Sequence, residues 1–214
     1  MVPADTLLAF TAAALVIILI PGPAVLFSVG RTLAIGRTGG LLSVAGVSLA
    51  LLPIVALVAF GVGGIIARSV VLFTVLKVVG ALYLAFLGVQ AIRHRKGAAA
   101  VATAAPAAPT SNGRQLRQGF VVGITNPKTI AFFVAVLPQF VDISLGSVPL
   151  QMMELGILFG LIGLVSDSVW VLVASAARTW FARSPRRIEA MTAAGGGMMI
   201  GLGGVLLLTG GAHG

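Results

Sequence analysis

The sequence predicts an all-α integral membrane protein. Six transmembrane helices are expected, in two sets of three that suit an inverted repeat, with both termini outside the cell. Three observations predict it. Of 214 residues, 58% are hydrophobic and 9% charged, whereas soluble domains run at about 25% charged. The apolar residues fall into stretches matching the roughly 20 residues a helix needs to cross a bilayer. The basic residues gather in alternate loops, as the positive-inside bias requires.

Thr6–Gly30, Thr38–Ala67 and Ala190–Ala212 hold no Asp, Glu, Lys or Arg, and each supplies a complete span. Three further apolar segments carry one ionisable residue each: Lys77 in Ser69–Ile92, Lys128 in Gln118–Val141 and Asp167 in Leu155–Ala177. Helices are therefore expected near 6–28, 40–66, 70–92, 118–140, 150–177 and 190–210. One charge does not exclude a span. Some fifteen Leu, Ile, Val or Phe residues favour insertion by about 5–9 kcal/mol, against about 2.5–3.5 kcal/mol for a central Lys or Asp. Leu7–Ile20 resembles the apolar core of a signal peptide, but no Lys or Arg precedes it and no A-x-A pattern follows. It is read as a retained first span.

Eleven of the twelve Lys and Arg residues between spans lie in the loops after helices one, three and five; Arg68 is the exception. This bias puts those loops in the cytoplasm. The longest, rich in Ala and Pro, reads as a flexible cytoplasmic linker over 93–117, between a three-helix repeat at 1–92 and a second at 118–214. Three is odd, so the halves enter the membrane with opposite orientation, a plan found among secondary transporters.

Composition excludes several function classes. Without cysteine, disulfide scaffolds and Cys-ligated zinc fall away. The histidines, His94 and His213, stand in or beside polar or terminal segments, so no metal centre and no cofactor are expected. The net charge of +9 is explained by the loops and not by nucleic acid. No serine has the neighbours a nucleophile needs, which leaves no enzyme in view. The lipid bilayer is the partner the composition demands.

Two helices are broken. Pro21-Gly22-Pro23 interrupts the first and Asn126-Pro127-Lys128 the fourth. Proline removes a backbone donor and clashes with the preceding turn, and in hydrocarbon the freed carbonyls must face protein or water. Both breaks lie about 11–12 Å from the cytoplasmic helix ends at 1.5 Å per residue. Ordinary kinks are the competing explanation, but matched breaks in corresponding helices of two halves point to a transporter's binding site. Lys128 and Asp167 lie at equal depth, so a salt bridge that sets helix register and a shared polar cavity are both open. Asp167 stands on a row of small residues with Gly156, Gly160, Gly163 and Ala174, which turns it towards protein. Lys77 shares a similar row with Gly80, Ala81, Leu84 and Gly88, nearer the outer surface, where snorkelling competes with function. The GxxxG pairs Gly119–Gly123, Gly156–Gly160 and Gly197–Gly201 suit helix packing or a homodimer. Trp180 and the basic cluster through Arg187 look like an interfacial anchor.

Composition and spacing reach a multi-span carrier or channel with paired helix breaks. The segments IPGPAVLFSVGRTLAIGRTGGLLSVAGVSLA, LKVVGALYLAFLGVQAIR and GFVVGITNPKTIAFFVAVLPQFV resemble the lysine exporter (LysE/RhtB) family of amino-acid translocators over nearly all the chain outside the linker. The resemblance implies a six-helix inner-membrane carrier exporting amino acids or similar small metabolites in exchange for protons. It implies that Pro21, Gly22, Pro23, Asn126, Pro127 and Lys128 occupy the family's characteristic positions. It also implies that Lys77, Gly80 and Tyr83 follow its third-helix pattern and that Asp167 is its fifth-helix acid. A zwitterion would then bind at the breaks, its carboxylate facing Lys128 and a freed helix N-terminus, its ammonium meeting Asp167 or freed carbonyls. Asp167, with Lys128 or Lys77, would couple protons or form an ion pair. Basic, neutral and branched amino acids would need only modest changes in pocket shape. A small-solute or ion channel is the alternative, but it would require a continuous polar lining.

Overall fold

A computed structural model describes residues 2–62, 70–97, 100, 111–177 and 184–208. The described residues are about 90% helical and include no strand. In chain order the helices are α1 (Ala4–Leu19), α2 (Pro23–Ile35), α3 (Arg37–Leu57), α4 (Val70–Arg93), α5 (Asn112–Ile124), α6 (Pro127–Ala135), α7 (Val148–Ala176) and α8 (Pro185–Leu208). A π-helical turn, Val58–Val62, extends α3, and short 3-10 turns at Leu137–Phe140 and Ile143–Leu145 link α6 to α7.

Arg37–Gly61 and Val148–Ala176 are each long and apolar enough to cross a membrane. Two bent pairs qualify when each counts as one span: α1 with α2, bent by 50°, and α5 with α6 and its following turn, bent by 46°. The helices overrun the expected limits. The first continues to Ile35 instead of stopping at 28, the fourth begins at Asn112 instead of 118, and the last begins at Pro185 instead of 190. Charges mark where hydrocarbon ends, but a helix carries Arg31, Arg114 or Arg186 into the polar layer without unwinding. Of the expected linker, residues 98–99 and 101–110 lie outside the described ones, as do Arg68, Trp180 and His213.

The bundle is held by close helix approaches and one aromatic centre. A β-carbon on Gly46 of α3 would strike the Leu116 carbonyl, and one on Gly123 of α5 would sit 2.8 Å from the Val47 carbonyl, so these two helices meet backbone to backbone. Gly88 of α4 meets Gly196 of α8 in the same way. Gly119–Gly123 packs on α3, and Gly156 packs on Val55 of α3, so neither face is free for a second copy; a β-carbon on Gly197 or Gly201 would meet nothing within 4 Å among the described residues beyond its own helix.

The core centres on Phe10 of α1, Phe132 and Phe133 of α6 and Phe159 of α7, with the partly buried Phe140 of the first 3-10 turn packed against it. Phe132 and Phe133 each lie 4.9 Å, centroid to centroid, from Phe159, and Phe10 lies 5.3 Å from Phe140. Gln151 of α7 fastens the turn before it: its amide donates to the carbonyls of Asp142 (2.8 Å) and Gly146 (2.7 Å) and accepts from Asp142 N–H (3.0 Å).

Candidate functional site

Each break follows from its prolines. The residue before proline is pushed out of the helical region. Ile20 (φ −70°, ψ 117°) and Gly22 (φ −97°, ψ −172°) precede Pro21 and Pro23, and Asn126 (φ −72°, ψ 106°) precedes Pro127; all three are extended. Pro23 and Pro127 then open the next helix, where a missing N–H is no loss. The two starts differ in their caps. The Asn126 side chain accepts from Lys128 N–H at 3.2 Å. Gly22 has no side chain to offer, so the head of α2 has no side-chain cap.

The breaks meet at Lys128. Its ammonium is buried and donates to the carbonyls of Ile17 (3.0 Å) and Ile20 (2.7 Å) at the end of α1. A lysine projecting from the second break thus satisfies acceptors released by the first, and places positive charge at a helix C-terminus. Each of those carbonyls thus already accepts one hydrogen bond from the lysine. Gly22 makes the contact possible: a β-carbon there would lie 2.9 Å from Lys128 Cε and 3.0 Å from Nζ.

Two cavities flank this junction, and Gly22 and Lys128 line both. The smaller, about 40 Å³, is bordered by Ala24 and Val25 at the head of α2, Asn126 and Thr129 at the head of α6, and Asp167. That volume exceeds the roughly 10–15 Å³ a polar cavity needs to hold a water molecule. Asp167 and Lys128 attract each other across it without a direct ion pair, and Asp167 makes no hydrogen bond among the described residues. The larger cavity, about 460 Å³, is a vestibule bounded by Pro21, Pro23 and Phe27, by Pro127, and by faces of α4 and α8. The phenylalanine cluster lies beyond the junction: Phe10 precedes the first break, whereas Leu26 and Phe27, which line the vestibule, follow it.

The six break residues and Asp167 therefore share one junction. Lys77 is on α4, with its side chain outside those described. Gly80 of its row packs on Ala135 of α6, while Tyr83 faces outwards and stacks on Phe86 at 6.1 Å. Sequence reasoning missed the contribution of α4 and α8: Leu87, Gln90 and His94 one turn apart, and Thr192 and Met199. The polar residues Gln90 and His94, at spacing four beside an apolar run, are the signal that could have found it. No group of three or more His, Cys, Asp or Glu that could hold a metal occurs among the described residues.

The profile of the LysE type translocator family matches residues 15–210. A protein of Vibrio cholerae serotype O1 described as an uncharacterized membrane protein is 34% identical over 93% of this chain and 95% of its own length. The homoserine/homoserine lactone efflux protein of Salmonella typhimurium is 29% identical over 87% of this chain and 88% of its own. The leucine efflux protein of Salmonella typhi is 34% identical over 61% of each. No solved structure matches the chain.

Proposed function

The chain belongs to the LysE type translocator family, and on that premise we propose that it exports amino acids or related small metabolites across a bacterial-type inner membrane in exchange for protons. Relatives described as leucine and homoserine efflux proteins support the substrate class. In this reading α4 and α8 join the two long helices and the two bent pairs as six spans in two inverted halves, with both termini outside. A homodimer is no part of the proposal.

The observation that carries the reading is the junction itself. Two fractured spans are clasped by Lys128, with a vestibule on one side and packed phenylalanine rings on the other. Gln90 and His94 precede one basic loop and Thr192 follows another, so the positive-inside bias makes the vestibule cytoplasmic. The molecule then faces inward, and rocking of the halves about the junction would part the rings and expose the site outside. The substrate carboxylate approaches Lys128 from the vestibule. Asp167, in the small cavity behind it, takes up and releases the coupled proton. A channel would need a continuous polar path, which the rings of Phe10, Phe132, Phe133 and Phe159 interrupt.

Overexpression should deplete intracellular and raise extracellular amino acids relative to a control strain, and unchanged pools would refute export. In energised everted vesicles, Asp167→Asn should abolish proton-driven accumulation while amino-acid exchange continues. Undiminished driven flux would remove Asp167 from coupling.

A further inference from the structure

The vestibule wall is specific about charge. Leu26, Phe27, Leu87 and Met199 give it apolar surface, and among the described residues no Asp or Glu lines it. Asp167, the acid at the junction's depth, borders the other cavity. Glu154 is engaged with the N–H of Val2 at 3.1 Å. The charge at the deep end is the Lys128 ammonium, two of whose donors are taken by Ile17 and Ile20.

Resting on the export reading above, we infer that the vestibule selects amino acids with an uncharged, aliphatic side chain and rejects those with a cationic one. The cavity, about 460 Å³, lies within the roughly 300–1,000 Å³ of small-molecule sites, so size does not discriminate among amino acids. Charge does. A zwitterion brings one carboxylate, which the lysine attracts, and one ammonium. The side-chain acceptors the described wall offers that ammonium carry no negative charge: the Gln90 oxygen, a ring nitrogen of His94, and the Thr192 hydroxyl, which donates to Ile188 at 2.8 Å and keeps a lone pair to accept. A second cation, on the side chain, would lie against Leu87 and Met199 with no carboxylate to pair with and Lys128 repelling it, and unpaired buried charge is strongly disfavoured. An aliphatic chain meets the same surfaces favourably.

The test uses the full chain purified into proteoliposomes, with labelled leucine, lysine and glutamate in counterflow at equal concentration. Leucine should exceed lysine by on the order of 100-fold, the discrimination expected for one cation placed in an apolar membrane interior. Gln90→Glu, on an exposed stretch of α4, puts a carboxylate into the vestibule and should narrow the leucine-to-lysine ratio about tenfold or more. Lysine moving as fast as leucine would overturn the inference and leave amino-acid export standing. An unchanged ratio in Gln90→Glu would overturn it as well. No counterflow of any of the three would instead sink the export reading, and this inference with it.

Discussion

Replacing Gly22 by alanine tests the junction with a single methyl group. Its backbone is extended at φ −97°, ψ −172°, a conformation alanine adopts without strain, so any effect must come from the side chain added. That carbon would lie 2.9 Å from Cε, 3.0 Å from Nζ and 3.2 Å from Cδ of Lys128, whereas non-bonded atoms rest at about 3.5–4.0 Å. The lysine tip must therefore retreat by roughly 0.5–1 Å. The bonds to Ile17 at 3.0 Å and Ile20 at 2.7 Å cannot both survive a shift of that size, since good geometry ends near about 3.2 Å. Loss of one hydrogen bond from a charged donor corresponds to about 1.5–3 kcal/mol. Unfolding of the purified protein in detergent, followed by size exclusion after heating, should move down by roughly 3–12 °C. In a Lys128→Ala background the added methyl meets no lysine, and the further change should stay within about 0.5 kcal/mol. An equal loss in both backgrounds would refute the clearance argument.

Three other outcomes follow from the structure. Asp167→Asn should leave the unfolding temperature close to the parent, because the carboxylate makes no hydrogen bond or direct ion pair among the described residues; a large drop would mean that it holds the fold. Phe132→Ala removes a fully buried ring packed on Phe10, Phe133 and Phe159 and should destabilise by about 3–5 kcal/mol, read by the same thermal assay. Hydrogen bonds from the Ser144 hydroxyl and N–H hold the exposed Asp142 carboxyl below the usual carboxylate range. A depressed folded-state value means that its support for the turn is present above the ordinary carboxylate pKa, about 3.9, and is lost as pH falls through the lowered value. Proteolysis at this turn should therefore rise only in strong acid, and Asp142→Asn should leave the pH profile of transport near neutrality unchanged.

Much of this was legible from residue order. A proline acts on its own neighbours, so the extended Ile20, Gly22 and Asn126 can be read from Pro21, Pro23 and Pro127 without a partner in view. Helix ends were less legible, because the counted charges report the water boundary and not the last helical hydrogen bond. Gly22 was singled out as part of a break, but its clearance for Lys128 depends on a residue more than a hundred positions away. The contribution of α4 and α8 was missed for a similar reason: Leu87 and Met199 are indistinguishable from lipid-facing side chains until the helices are packed.

What residue order settles here is the solvent the chain lives in and the places where its helices must fracture, since hydropathy is a sum over a window and proline chemistry is local. Whether two fractures meet, which carbonyls a buried lysine answers, and which apolar surfaces enclose a cavity are relations between distant segments. Packing decided them, joining the ends of α1 and α6 through one ammonium and leaving Asp167 close to that charge without touching it.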